Sequence, residues 1–209
     1  MLRLAQIQEI IEECREIGSS GLDNGVNALI PTLEIDLIEP PCDFLGAVGN
    51  PAIFVNEQTY KLLGWQHENW IANRTIACKT IFLTFNTIEV IGGIVHETGH
   101  AFNVAANIEN SEANAYIFEI DVLLKLHKQG CLKMFGCTDA EVENYFKSRL
   151  AFYHIDTRDN SYLASLVKTI EEKNQKKSTL FTGKSLSFFD SSWSKEIIKM
   201  DGLFLAPNS

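Results

Sequence analysis

The sequence lacks an uninterrupted apolar run of the roughly 20 residues that a membrane-spanning helix requires, and we expect no membrane span. Basic residues are also scarce, since 18 lysines and arginines accompany 27 aspartates and glutamates, for a formal net charge of -9. Because a nucleic-acid partner would require a basic face, this balance argues against DNA or RNA binding. It is typical of a protein that stays in water and avoids anionic membrane surfaces.

Cysteine pairs at metal-binding or redox spacing are missing as well. The five cysteines are scattered along the chain, and none belongs to a C-x-x-C pair. Such usage is typical of reduced thiols in a cytosol-like compartment. The apolar N-terminal stretch 1–18 contains four glutamates, whereas a Sec signal has an uncharged apolar core. We therefore expect a cytoplasmic protein, or one exported without a cleaved signal peptide.

Hydrophobic periodicity predicts an α+β protein with a helical second half. Alternating or short apolar runs predict strands at 33–38, 52–55 and 80–85, the last being the richest in β-branched and aromatic residues. Helices are predicted at 4–17, 57–63, 87–106, 111–128, 138–150, 161–173 and near 194–200. No linker divides the chain, so we expect a single domain over 1–209. Its sheet and central helix would occupy about 30–106, and its helical part about 110–209.

Local signals mark where the predicted helices begin and which faces they pack. Asn86 with Glu89, and Thr138 with Glu141, have the spacing of capping boxes. Three glycines interrupt the helix predicted at 87–106, at positions 92, 93 and 99. Glycine is a poor helix former, so its presence there indicates close approach by another group. Either a neighbouring helix or a substrate backbone would satisfy this requirement.

The most informative feature is a His-Glu-x-x-His motif at 96–100, inside the helix predicted at 87–106. Two histidines four residues apart on a helix point to one side, close enough to hold one metal ion. Glu97 lies between them and is turned aside, where it can act on water as a general base. Catalytic zinc sites have three protein ligands and one open position, so a third ligand is required. The alternative to a metal site is a pair of histidines that lie on an ordinary helix and bind no metal.

The third ligand is expected from the next helix, folded back against the first. The candidate carboxylates there are Glu109, Glu112, Glu119 and Asp121. Glu112 and Glu119 lie seven residues apart and hence on one helix face. Glu112 is in the first turn, where the helix dipole favours a carboxylate, and the link from His100 is short. We therefore expect Glu112 to be the ligand, with Glu119 as the alternative. The other carboxylate would support a ligating histidine from outside.

The motif, followed by the stretch Glu-Ala-Asn-Ala-Tyr at 112–116, resembles the gluzincin-type zinc metallopeptidases. Locally it is similar to the ImmA/IrrE-type peptidases, in which an E-A-N-x-F stretch follows the zinc helix. The resemblance covers about 80–124 and implies a zincin-like fold, with a small, mostly antiparallel sheet packed on the zinc helix. It also implies that His96, His100 and Glu112 bind Zn²⁺ and that Glu97 is the general base.

The function expected from this resemblance is hydrolysis of peptide bonds in a protein or peptide substrate. The reaction requires a donor that stabilises the oxyanion. Tyr153 and His154, expected just after the helix predicted at 138–150, are the first candidates for this role. Other candidates are Tyr116, Tyr145, Tyr162 and Arg158. The substrate is expected to add as a strand to a sheet edge, formed either by 80–85 or by 53–55.

Two other functions fit the same residues. The chain could be a catalytically inactive zincin-like module that binds or regulates a partner, although Glu97 argues for activity because a decayed site can lose its base. It could also be an exported bacterial effector protease that acts on a host protein. No feature of the sequence sets an oligomeric state.

Overall fold

The computed structural model describes residues 1–40 and 50–180, with side chains up to residue 173. The elements follow in the order α1 (Leu4–Ser20), β1 (Glu34–Ile38), β2 (Ala52–Phe54), α2 (Glu57–Leu63), β3 (Thr75–Lys79), α3 (Thr87–Ala105), α4 (Glu112–Gln129), α5 (Cys131–Met134), α6 (Asp139–Asp156) and α7 (Ser161–Leu180). The prediction of the α+β class is confirmed. The helix predicted near 194–200 lies outside the described residues. Across the described ranges, no helix is both long and apolar enough to cross a membrane.

The sheet has three strands in the order β1-β3-β2 and is mixed. Strand β1 pairs with β3 in parallel, whereas β2 pairs with β3 antiparallel. The expectation of a mostly antiparallel sheet is therefore corrected, because one of the two pairings is parallel. A parallel pair requires a crossover connection, and the segment between β1 and β3 contains both β2 and α2.

Strand β3 lies just before the segment with the strongest strand propensity. The prediction of a strand at 80–85 is wrong, because Thr80–Thr84 form a 3-10 helix in which Phe82 is buried and Ile81 is exposed. Strand propensity reflects how a side chain packs on a pleated, half-buried surface, and it does not fix the backbone. The segment Thr75–Lys79 becomes the strand because both of its edges pair, and its first four residues are buried.

Apolar side chains from α1, α3, α4, α6 and α7 form one large core. The helix predicted at 4–17 is confirmed, and its apolar stripe is buried there, including Ile7, Ile10, Ile11 and Cys14. Each fully buried aliphatic side chain contributes about 1.5–3 kcal/mol to the free energy of unfolding. This core fixes α3 and α4, which carry the motif and the candidate third ligand.

Helices α3 and α4 pack closely as an antiparallel pair, and Gly99 makes this approach possible. A β-carbon at Gly99 would lie 3.1 Å from the backbone oxygen of Ala115 and 3.1 Å from Cβ of Phe118. The glycine therefore serves helix packing, as one of the two sequence interpretations proposed. Helix α4 begins after Ser111, whose hydroxyl accepts a hydrogen bond from the Asn114 amide. The first turn of α4 is thereby placed beside the second half of α3.

Helix α6 is longer than the sequence predicts. The predicted capping box of Thr138 and Glu141 is confirmed, but the helix runs to Asp156 instead of 150. Tyr153 and His154 therefore lie within α6, and not in the segment after it. Helix α7 also extends past the predicted end at 173 to Leu180.

The capping box predicted at the start of α3 is absent. Asn86 is the N-cap residue of α3, but its side chain makes no capping hydrogen bond.

Candidate metal centre

Three side chains converge between α3 and α4. His96 and His100 come from successive turns of α3, and Glu112 comes from the first turn of α4. Their potential ligand atoms all lie within 4.8 Å of one another, so that the group could hold a metal ion. Both imidazoles are largely buried, whereas the Glu112 side chain is about half exposed, at 53%. The site is therefore anchored in the protein and open on one side.

The distances between these atoms are short enough for one ion to contact all three side chains. Nε2 of His96 lies 3.1 Å from Oε2 of Glu112, and Nε2 of His100 lies 3.3 Å from Oε1 of Glu112. Ligand atoms at about 2.0–2.1 Å from a tetrahedral zinc ion are separated by roughly 3.3 Å. The imidazole and carboxylate donors are also those that zinc prefers in catalytic sites. The residues present therefore fit this ion.

The second ring nitrogen of each histidine has its own partner. Nδ1 of His96 lies 3.0 Å from Oε2 of Glu119, and Nδ1 of His100 lies 2.8 Å from Oδ1 of Asn110. In metal sites such outer partners fix the tautomer and the ring orientation of the ligating histidine. Because both Nδ1 atoms face an oxygen, both Nε2 atoms are left to face the carboxylate of Glu112.

Glu119 is fully buried and is held by α6. Its Oε1 accepts hydrogen bonds from the Tyr145 and Tyr153 hydroxyls at 2.8 and 2.6 Å. Arg149 donates to both carboxylate oxygens, at 3.3 and 3.2 Å. Burial by itself would raise the pKa of Glu119, but Arg149, His96 and Tyr153 outweigh burial and lower the pKa to about 2. The carboxylate that faces His96 is therefore ionised.

The carboxylates also control the charge of the histidines. Burial would lower the pKa of His96, but hydrogen bonds with Glu112 and Glu119 raise it to about 10. The pKa of His100 is raised in the same way, chiefly by Glu112 against the effect of burial. Partial desolvation would raise the pKa of Glu112, but hydrogen bonds with His100 and His96 outweigh it and lower the pKa. The site is thus built to compensate positive charge, which protons or a metal cation can supply.

Glu97 points to the sheet and not to the three converging ligands. Its Oε2 accepts a hydrogen bond from the backbone amide of Phe54 at 2.6 Å. Burial raises the pKa of Glu97 and the charge of Glu112 adds to this effect, whereas His100 and His96 oppose it. The motif glutamate therefore lies between the candidate metal ligands and strand β2.

The structure brings most, but not all, of the sequence-predicted site residues together. Glu119, the alternative ligand, contacts the far side of His96. The Tyr153 side chain, expected to stabilise an oxyanion, is fully buried, and its hydroxyl donates to Glu119. His154, expected to play the same role, pairs with Glu171. The oxyanion role of both residues stays a prediction.

Two residues that contact the candidate centre or its outer partner were not among the site residues expected from the sequence. Asn110 comes directly before Ser111, the N-cap of α4, and its side chain contacts His100 of α3. Arg149 has no local signal of its own, but it lies midway between Tyr145 and Tyr153 at spacings of four residues. Such spacing puts all three on one helix face, which is the only sequence feature that could have pointed to a shared partner.

Comparison of the chain with protein-family models, with curated proteins and with solved structures finds no match.

Proposed function

We propose that the protein is a zinc-dependent metalloprotease of the gluzincin type that hydrolyses peptide bonds of a protein substrate. The observation that carries the proposal is the convergence of the two histidine Nε2 atoms on the Glu112 carboxylate, with Glu97 of the same motif directed at strand β2. The outer partners of both histidines support it, because such partners are a common feature of metal sites. A chance pair of histidines on a helix would not require a hydrogen-bond partner at each Nδ1 atom.

His96 and His100 would hold the ion through Nε2, and Glu112 through its carboxylate. Bound zinc supplies Lewis acidity, which polarises a carbonyl group and lowers the pKa of water. Glu97 takes the proton of the attacking water and later delivers it to the leaving amine. The raised pKa of Glu97 suits this task, because a general base works best when its pKa approaches the working pH.

Strand β2 is the part of the sheet best placed to receive the substrate. Val55 donates its amide proton to Thr75 and Pro51 accepts from Lys79, so alternate residues of β2 face β3. The backbone groups of Ala52 and Phe54 consequently face the opposite edge, where the Phe54 amide donates to Glu97. Within the described part of the chain, no further strand pairs with this edge. An extended peptide added there would lie next to Glu97.

The test of this proposal is proteome-wide cleavage profiling of the wild type against Glu97→Gln. Glu89→Gln on the exposed side of α3 serves as the matched control. We expect new peptide termini with the wild type and the control, and none with Glu97→Gln at unchanged zinc content. Cleavage by Glu97→Gln at the wild-type rate would contradict the general-base role. Zinc binding without any cleavage by the wild type would favour a binding module instead.

A further inference from the structure

One face of α6 is directed at the candidate metal centre from outside the motif. Tyr145, Arg149 and Tyr153 follow one another at four-residue intervals, and all three contact the Glu119 carboxylate. We name these three residues the α6 clamp. Together they direct four hydrogen bonds to one carboxylate whose other contact is the Nδ1 atom of His96.

We propose that the α6 clamp positions the metal-binding nitrogen of His96 by fixing the orientation of Glu119. This inference rests on the proposed zinc centre and extends it to a helix that lies outside the resembling segment. The three clamp residues are positioning residues, because they act on the ion only through Glu119 and His96.

The hydrogen bonds of the two Glu119 oxygens show how the clamp orients this carboxylate. Oε1 of Glu119 receives both tyrosine hydroxyls and Nε of Arg149, whereas Oε2 receives Nη2 of Arg149. The side of Oε2 that remains faces Nδ1 of His96. A carboxylate can only accept, so Nδ1 must be the donor. A neutral imidazole that donates from Nδ1 presents its lone pair at Nε2, which is the atom facing Glu112.

Two features of the packing show that the clamp fits closely against the two helices that carry the candidate ligands. A β-carbon at Gly92 would lie 2.1 Å from the Tyr145 hydroxyl oxygen, so the absent side chain lets Tyr145 reach Glu119 across α3. The Arg149 guanidinium also lies 5.4 Å from the centre of the Tyr116 ring. That ring lies 5.0 Å from the His96 imidazole. The clamp thus packs against Glu119 and Tyr116, which both lie beside the His96 ring, and its hydrogen bonds reach that ring through Glu119.

The experiment is a set of zinc dissociation constants, measured by competition with a chromophoric chelator. Tyr145→Phe and Tyr153→Phe remove one donor each and keep the ring, and Arg149→Lys keeps the charge but loses the two-pronged contact. Tyr60→Phe, on the exposed side of α2, is the matched control. Removing an outer partner that contacts a metal ligand directly, as Glu119 does, weakens binding by about 10–100-fold, so this range is the upper bound for the clamp variants. We expect Arg149→Lys to weaken zinc binding by about 10-fold, each tyrosine variant by less, and the control not at all.

A double-mutant cycle with Glu119→Gln separates positioning from general stabilisation. If the clamp acts through Glu119, the effect of Tyr153→Phe on zinc affinity largely disappears in the Glu119→Gln background. A second readout is the ¹⁵N spectrum of His96 in the zinc-loaded protein, in which the wild type should show a hydrogen-bonded Nδ1–H group and Arg149→Lys a shifted Nδ1 resonance.

The outcomes distinguish this inference from the proposed function. Clamp variants that lose thermal stability but bind zinc as tightly as the wild type would overturn the positioning role alone. A wild-type protein that binds no zinc would overturn the metal centre itself, and the inference with it. If Arg149→Lys fails to fold, the two tyrosine variants decide the result, since both keep their buried rings.

Discussion

Each histidine of the candidate metal centre uses its two ring nitrogens for different purposes. Nε2 faces the Glu112 carboxylate, and Nδ1 faces an oxygen of Glu119 or Asn110. The chemistry of the site therefore depends on which ring nitrogen faces which oxygen, and not only on the residue types present. The residues that contact Nδ1 can be tested by substitution in the same way as the candidate ligands.

The first prediction concerns Asn110. Asn110→Ala removes the oxygen that accepts from Nδ1 of His100, so the ring loses the contact that fixes its tautomer. We expect zinc affinity to fall by about 10–100-fold, as is typical for outer partners of metal ligands. Competition titration with a chelator measures this change. Asn144→Ala, an exposed asparagine on α6, is the control and should bind zinc like the wild type.

The second prediction concerns the third ligand. Glu112→Ala removes the only carboxylate of the converging group, so only the two histidines remain. We expect a larger loss of zinc affinity than for Asn110→Ala, because a direct ligand is lost. Metal content after dialysis against a weak chelator gives the readout. Glu109→Ala removes a neighbouring exposed carboxylate and should retain zinc, and equal zinc content in both variants would exclude Glu112 as a ligand.

Between the single residue and the whole protein, packing of α3 against its neighbours determines the geometry of the site. Gly99 lets α4 approach closely enough for Glu112 to face both histidines, and Gly92 gives the Tyr145 hydroxyl its space. A helix with side chains at these positions could carry the same motif without assembling the same centre.

The third prediction tests this role of Gly92. Gly92→Ala places a methyl group 2.1 Å from the Tyr145 hydroxyl oxygen, so the tyrosine must move away from Glu119. Overpacking of this kind costs about 1–3 kcal/mol, whereas the gain in helix propensity is about 1 kcal/mol. We expect a net loss of stability in chemical denaturation together with weaker zinc binding. Glu89→Ala on the exposed side of α3 should show neither effect, and a stabilised Gly92→Ala would contradict the packing argument.

Elements with strong local signals were predictable from the sequence, and those that depend on distant partners were not. The apolar stripe of α1 and the capping residues Ser111 and Thr138 act within a few residues, and the helices they mark are present. Strand β3 has weaker propensity than the segment after it and forms because two other strands pair with it. The contacts of Asn110 and Arg149 likewise depend on tertiary packing, which no local pattern encodes.

Over the whole molecule, the candidate centre links segments that are far apart along the chain. Its candidate ligands come from α3 and α4, and Asn110 lies in the segment just before α4. Helix α6 adds contacts to Glu119, and Glu97 adds a contact to β2. A bound ion would therefore cross-link the core of the fold and stabilise the native state over the unfolded one.

The fourth prediction follows from this linkage. At a free zinc concentration 100 times the dissociation constant, binding stabilises the native state by about 2.7 kcal/mol. We expect a chelator to lower the melting temperature of the wild type and zinc to restore it, as measured by scanning calorimetry. The double variant His96→Ala/His100→Ala should not respond to either treatment. An equal response of this variant would show that the ion binds elsewhere.

The most direct test of the central claim is the metal content of the wild-type protein, purified without added metal and measured by mass spectrometry. The proposed centre has the ligand set of one catalytic zinc ion, held by His96, His100 and Glu112. We predict about one zinc ion per chain, and none in His96→Ala/His100→Ala. A wild-type protein that contains no zinc and takes up none on addition would contradict the account.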